Sequence, residues 1–144
     1  MPADYLAGGA RDIAALKPQV ALIQAFAEYP QTLRSPEQSL NAAIAAADNA
    51  KRAGCVPILV TGSLDSDIAP EMEAVRQTMN ARVRALAAKG YEVLDLDALW
   101  RSGENPAGWK PGFATDRWHP SDAATRIAAE ALAHILRRIL ALPD

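Results

Sequence analysis

A single cysteine, Cys55, occurs in this chain of 144 residues, so no disulfide can form within it. It precedes a strand-like apolar run with nothing basic beside it, the setting of a small buried side chain rather than of an activated thiol. Histidine is almost as scarce. With only His119 and His134 present, a zinc site is not expected. Charge of one sign is lacking too: a net charge of −2 and a pI near 5.7, with Lys and Arg scattered along the chain, give no attraction for nucleic acid or an anionic membrane. No apolar run approaches the length needed to cross a bilayer. Met1-Pro2-Ala3-Asp4-Tyr5 has neither the basic nor the apolar region of a signal peptide. The expectation is synthesis in the cytoplasm, with the final location left open. Gly8-Gly9 lacks the spacing of a phosphate or dinucleotide loop, and no cofactor is implied.

What is present is a chain that is half hydrophobic, enough for one core, although alanine supplies much of that half. No repeat or linker interrupts residues 1–144, so one domain is expected. The pattern reads helix, strand, helix, strand, helix, strand, loop, helix. Ile13, Ala14 and Leu16 close a short helix that Pro18 ends. Val20 to Gln24 is a short buried-strand run. Ser35, Pro36 and Gln38 form the start of a helix, with a capping box between Ser35 and Gln38. Leu40, Ile44 and Ala47 share one face of it, and Gly54 sits at its end. Val56 to Val60 is a second, wholly apolar strand in which Pro57 is tolerable only near the start. Met72, Val75, Met79, Val83 and Leu86 are spaced as the stripe of a long helix that Gly90 stops. Tyr91 to Leu96 is the third strand. A loop from Arg101 to Pro120 then leads to a last helix, capped by Ser121 and striped by Ile127, Leu132, Ile135, Leu136 and Ile139. Apolar strands separated by helices argue for a short parallel sheet flanked by helices, an α/β fold.

In such sheets, sites form beyond the carboxyl ends of the strands. Three segments qualify: residues 25–29, residues 61–67, and the loop end Asp116-Arg117-Trp118-His119-Pro120. A carboxylate three positions before a histidine can accept a hydrogen bond from one ring nitrogen, leaving the other as a base toward a nucleophile. The plain alternative is a helix-capping loop. Ser63, in Gly62-Ser63-Leu64, is a weak candidate nucleophile, because Gly-x-Ser-x-Gly is not present. Asp65, Asp67 and Glu71 lack the spacing of a calcium loop. Trp100, Trp109, Phe113 and Trp118 gather around the long loop, either as a stacking surface for a sugar or a protein, or as pins that hold the loop to the core.

The block Asp116-Arg117-Trp118-His119-Pro120-Ser121, followed by a helix with Ile127 and Ala128, resembles the final block of the SGNH (GDSL-type) hydrolases. In that block the Asp and His are catalytic. Leu16 to Ile23 is similar to the strand leading into the family's Gly-x-Asn-Asp block, and Val56 to Val60 to the strand after it. Asn80, Leu86-Ala87 and Val93-Leu94-Asp95 resemble the helix and strand that follow. The resemblance implies a three-layer, flavodoxin-like fold lacking its first two strands. With those strands would go the Gly-Asp-Ser nucleophile block and the first oxyanion glycine. In the remaining oxyanion block, Ala25 and Ala27 stand where the family has Gly and Asn, Glu28 stands for its Asp, and Ala124 replaces a residue that is often Gly.

Absence of nucleophile and donors together points to a non-catalytic binding or structural module of a larger assembly, of which a phage particle is one example. The alternative is an esterase or carbohydrate deacetylase in which Asp116 and His119 serve a serine from a partner chain or Ser63. Omitting two strands exposes the edge around Val20 to Gln24, so a second copy or a protein partner is expected to cover it.

Overall fold

Apolar segments of five and three residues build the sheet: β1 (Val20–Gln24), β2 (Val56–Val60) and β3 (Glu92–Leu94), all parallel and in the order β1-β2-β3. The computed structural model describes residues 9, 11–25, 36–62, 64–104 and 108–143. Val20 pairs with Val56 and Gln24 with Val60 on one side of β2, and Ile58 pairs with Glu92 on the other. The central strand has no polar side chain, as befits a strand covered on both faces. Pro57 is its second residue, where a missing N–H is tolerable.

Side chains of β2 alternate between two cores. Leu59 packs with Leu40, Ala43, Ala47, Met79 and Val83, so α1 (Pro36–Arg52) and α2 (Pro70–Ala85) cover one face. Ile58 and Val60 point the other way, against Ile135, Leu132, Leu136 and Ile139 of α4 (Asp122–Leu140). Helix, sheet and helix thus make three layers, the architecture read from the sequence. In α1 the buried Leu40, Ala43, Ala47 and Ala50 recur at helical spacing, with Glu37 in the first turn and Lys51 and Arg52 in the last, as the helix dipole favours. The expected cap, Ser35, lies outside the described residues. Ser121 caps α4 as expected, its hydroxyl accepting from the amide of Ala124. Gly90 ends the helical run in a left-handed conformation, φ 78°.

Three expectations are corrected. The third strand stops at Leu94 rather than Leu96, because the carboxylate of Asp95 accepts from the amide of Ala98 and caps a short helix, α3 (Leu96–Trp100). The long helix ends at Ala85 and tightens into a 3-10 turn over Leu86–Lys89. Its inner face carries only part of the expected stripe: Met79, Val83 and Leu86 are buried, but Val75 is exposed, and Glu73, Arg76 and Asn80 turn inward instead.

Those buried polar residues form a network behind the carboxyl ends of β2 and β3. Arg76, 3% exposed, forks to Glu73 at 2.8 Å and reaches Asp97, 1% exposed, at 2.8 Å. Arg84 bridges Asp95 at 2.5 Å and Asp97 at 2.6 Å, while Arg101 bonds Glu73 at 3.0 Å and also Asp97. The hydroxyl of Thr61 donates to Asp95 and accepts from the amide of Asp97. Asn80 binds the backbone of Gly62 from both sides of its amide. Three guanidinium groups thus meet three carboxylates, and the first turn after β2 is tied to α2 and α3. Burial pushes the Asp97 carboxyl up, but hydrogen bonds from Arg101, Arg84 and Arg76 outweigh it and hold it below the usual range.

Replacing Arg76 with Ala leaves Asp97 and Glu73 short of a buried partner, and we expect a loss of about 3–5 kcal/mol in urea unfolding. Leu59→Ala, which empties the middle of one core, is expected to cost about 2–5 kcal/mol in the same measurement.

Candidate functional site

The site is a turn between two extended positions. Ala114 and Pro120 pair as an antiparallel bridge, and the amide of Thr115 donates to the carbonyl of His119 at 3.0 Å. Inside this turn, one oxygen of Asp116 accepts from the amides of Trp118 at 2.8 Å and His119 at 2.9 Å, the local bonding at which aspartate excels. The other oxygen lies 2.8 Å from Nδ1 of His119. The hydrogen bonds from the Trp118 amide, the imidazole and the His119 amide pull the Asp116 carboxyl down to about 2.

An ionised carboxylate accepts only, so in the neutral ring the nitrogen facing it, Nδ1, carries the proton and Nε2 keeps its lone pair. Among the described residues nothing is hydrogen-bonded to Nε2. Both side chains are open to water, His119 at 69% and Asp116 at 54%.

Arg117, between the two, points elsewhere. Its guanidinium forks onto Asp65 at 2.5 and 2.9 Å and reaches Asp67 at 2.9 Å, tying the turn to the loop that follows β2. The carbonyl of Arg117 accepts from the amide of Ser66 and from the indole of Trp109. Burial raises the Asp65 carboxyl, but Arg117, the amide of Asp67 and the side chain of Trp118 together lower it below its ordinary value. Asp65 and Asp67 are therefore spent on Arg117 rather than arranged for a cation. Among the described residues no three His, Cys, Asp or Glu side chains gather as a metal site.

The aromatic residues divide. Trp100 is 5% exposed, stacks on Trp109 with centroids 5.4 Å apart, and donates its indole N–H to the carbonyl of Ala124. It is buried beside Leu64 and Ala124, with Trp109 and Phe113 packed half-buried against the same cluster. Trp100 is therefore not part of a binding surface, because its ring fills the space between α3 and α4. Trp109 and Phe113 pin the loop, and Trp118 remains exposed at 41%, with Arg117 over its ring at 5.0 Å.

Other sequence candidates fall into place. Ser63, Ala27 and Glu28 lie outside the described residues. Ala25 is fully buried, and its amide donates to the carbonyl of Val60 at 3.0 Å, so that N–H is committed to the sheet. Cys55 is buried and free, and burial pushes its thiol up. His134 is exposed on α4. No described helix is long and apolar enough to cross a membrane. The Arg117 clamp and the buried arginine–carboxylate network were not found from sequence. Their partners are 50 and 52 residues apart in the clamp, and no local signal pairs such charges.

No protein-family model matches this sequence, and no curated protein matches it. Solved structures do. A GDSL-like lipase from Bacteroides thetaiotaomicron VPI-5482 superposes with a TM-score of 0.82 at 16% identity, over 96% of this chain and 71% of that one. A candidate acylhydrolase from Bacteroides fragilis NCTC 9343 gives 0.80 at 15% identity, over 97% of this chain and 71% of the other. A candidate lipolytic protein of the G-D-S-L family from Desulfitobacterium hafniense DCB-2 gives 0.71 at 16% identity, over 94% and 75%. The chain has an SGNH (GDSL-type) fold. At these identities the likeness speaks of fold alone.

The Asp116 carboxyl should titrate in carbon-13 NMR with a midpoint of about 2. Because its folded value is depressed, its contribution to folding is full above the ordinary carboxylate range and is lost as pH falls toward about 2. His119→Ala is expected to raise the midpoint only part of the way, since the amide of Trp118 still donates. An unchanged midpoint would mean that the imidazole does not engage the carboxylate.

Proposed function

We propose that the chain supplies the acid–base half of an ester-hydrolase site. Asp116 orients His119, and Nε2 of His119 takes the proton of a serine hydroxyl as that oxygen attacks an acyl carbonyl. The same nitrogen then returns the proton to the leaving alcohol, and water releases the acyl group by the reverse sequence. The observation that carries this reading is the 2.8 Å contact between Nδ1 and the carboxylate, which leaves Nε2 turned to its task. The fold of the lipase and acylhydrolase neighbours supports it. The serine comes from beyond the described residues, either from another polypeptide or from Ser63. So does the wall that excludes water, since an imidazole this open to solvent gains little from its charged neighbour until it is covered.

A second reading, a non-catalytic structural or binding module of a larger assembly such as a phage particle, is favoured by two other observations. The Ala25 amide is spent on Val60, and an alanine side chain donates nothing. Leu22, on the outer strand of the described sheet, is 53% exposed because α4 covers Val20 but does not extend over it. In this reading a second copy or a protein partner covers β1, Asp116 and His119 are vestigial, and Trp118 contacts a carbohydrate or protein surface.

Hydrolysis of p-nitrophenyl acetate separates the two, measured with the chain alone and in the complex isolated from its native source. The hydrolase reading expects a rate above buffer that falls roughly 10²–10⁴-fold in His119→Ala. A rate equal to buffer in both preparations, indifferent to His119, would hand the site to the second reading. For the assembly, sedimentation should show a species larger than a monomer that Leu22→Lys disperses; a monomer at every concentration would reject it.

A further inference from the structure

The turn that carries Asp116 and His119 is held by bonds that face water. Hydrogen bonds with such exposure exchange with solvent and are worth little one by one. What ties the turn to the rest of the protein is different in kind. Arg117 makes a two-pronged contact with Asp65, a residue only 8% exposed, and adds Asp67 through both its carboxylate and its carbonyl. The planar guanidinium matches a carboxylate with two parallel bonds, a geometry a lysine cannot copy. Asp65 in turn accepts from the amide of Asp67 and sits beside the fully buried Leu64, while Gly62 upstream is bound by Asn80. One end of this chain of contacts is the buried network behind the sheet, and the other is the imidazole.

We propose that Arg117 is a positioning residue: by clamping the turn to the loop after β2, it keeps His119 aligned with Asp116 and holds Nε2 at a fixed place on the rim. As a contribution to catalysis this rests on the hydrolase reading above; as a statement about the ring it does not. Arg117 touches neither the imidazole nor any reacting atom, so it acts through the backbone on either side of it. Two further features agree. The carbonyl of Arg117 is itself bound by Ser66 and Trp109, and the guanidinium lies over Trp118, so residue 117 is held through both its backbone and its side chain.

The test reads the ring directly. Nitrogen-15 NMR of the full chain with labelled histidine, assigned by His119→Ala, reports which nitrogen of the neutral ring is protonated. The wild-type protein should show Nδ1–H. Arg117→Ala should shift the ring toward the Nε2–H form of a free histidine, with the thermal unfolding of the fold retained. Arg117→Lys should fail to restore Nδ1–H, and Asp65→Asn should reproduce part of the shift. A ring that stays wholly Nδ1–H in Arg117→Ala overturns the proposal, as does full rescue by lysine, which would make the contact one of charge alone. Where the wild type hydrolyses ester through His119, Arg117→Ala should lower kcat by roughly 10- to 10²-fold with KM unchanged. A wild type without such hydrolysis both alone and in its native complex defeats the hydrolase reading, and the NMR result then decides the positioning claim by itself.

Discussion

Arg76 and Asp97 meet at 2.8 Å in a part of the protein that water does not reach. Charges in such a place persist only when each is matched and its remaining hydrogen-bonding positions are filled. Around this pair the match is made by Glu73, Arg84, Arg101 and Asp95, drawn from α2, the end of β3, α3 and the segment that follows α3. The network is why the strands end where they do. Asp95 cannot both continue β3 and receive Arg84 and the amide of Ala98, so the strand gives way to α3. The same network fixes the turn after β2 through Gly62, and that turn leads to Asp65, the anchor for the loop of Asp116 and His119. Core charge and surface imidazole are thus parts of one mechanical frame.

The frame has a division of labour. Apolar alternation along β2 sets the layers, a property of the sheet and of burial. Charge pairing at the strand ends sets the loops, which no apolar contact specifies with comparable direction. Aromatic packing closes the remainder, with Trp100 and Trp109 stacked between the last two helices and the long loop.

Much of this was legible in the sequence. The strands Val20–Gln24 and Val56–Val60, the caps at Ser121 and Gly90, and the three-layer arrangement follow from period, capping chemistry and the parallel-sheet pattern. The Asp116–His119 contact was legible because it is local: three positions of separation bring the groups together in a turn. What escaped was non-local. Met72 and Val75 suggested an apolar stripe, yet α2 turns Glu73, Arg76 and Asn80 inward, because their partners on α3 and the β2 turn exist only in the folded chain. Trp100 read as a surface candidate because it stands at the start of the long loop that carries Trp109, Phe113 and Trp118, and its burial depends on α4, more than twenty residues later.

Ala124 illustrates how small a margin separates these parts. Its methyl group is wholly enclosed, and its carbonyl receives the indole of Trp100 in the first turn of α4. Any larger side chain at that point would push the tryptophan outward, and the tryptophan carries the ring of Trp109, whose own N–H grips the backbone of the histidine turn. Steric demand at one enclosed alanine would therefore be relayed through two stacked rings to the imidazole, a lever of side-chain volume with no electrostatic component.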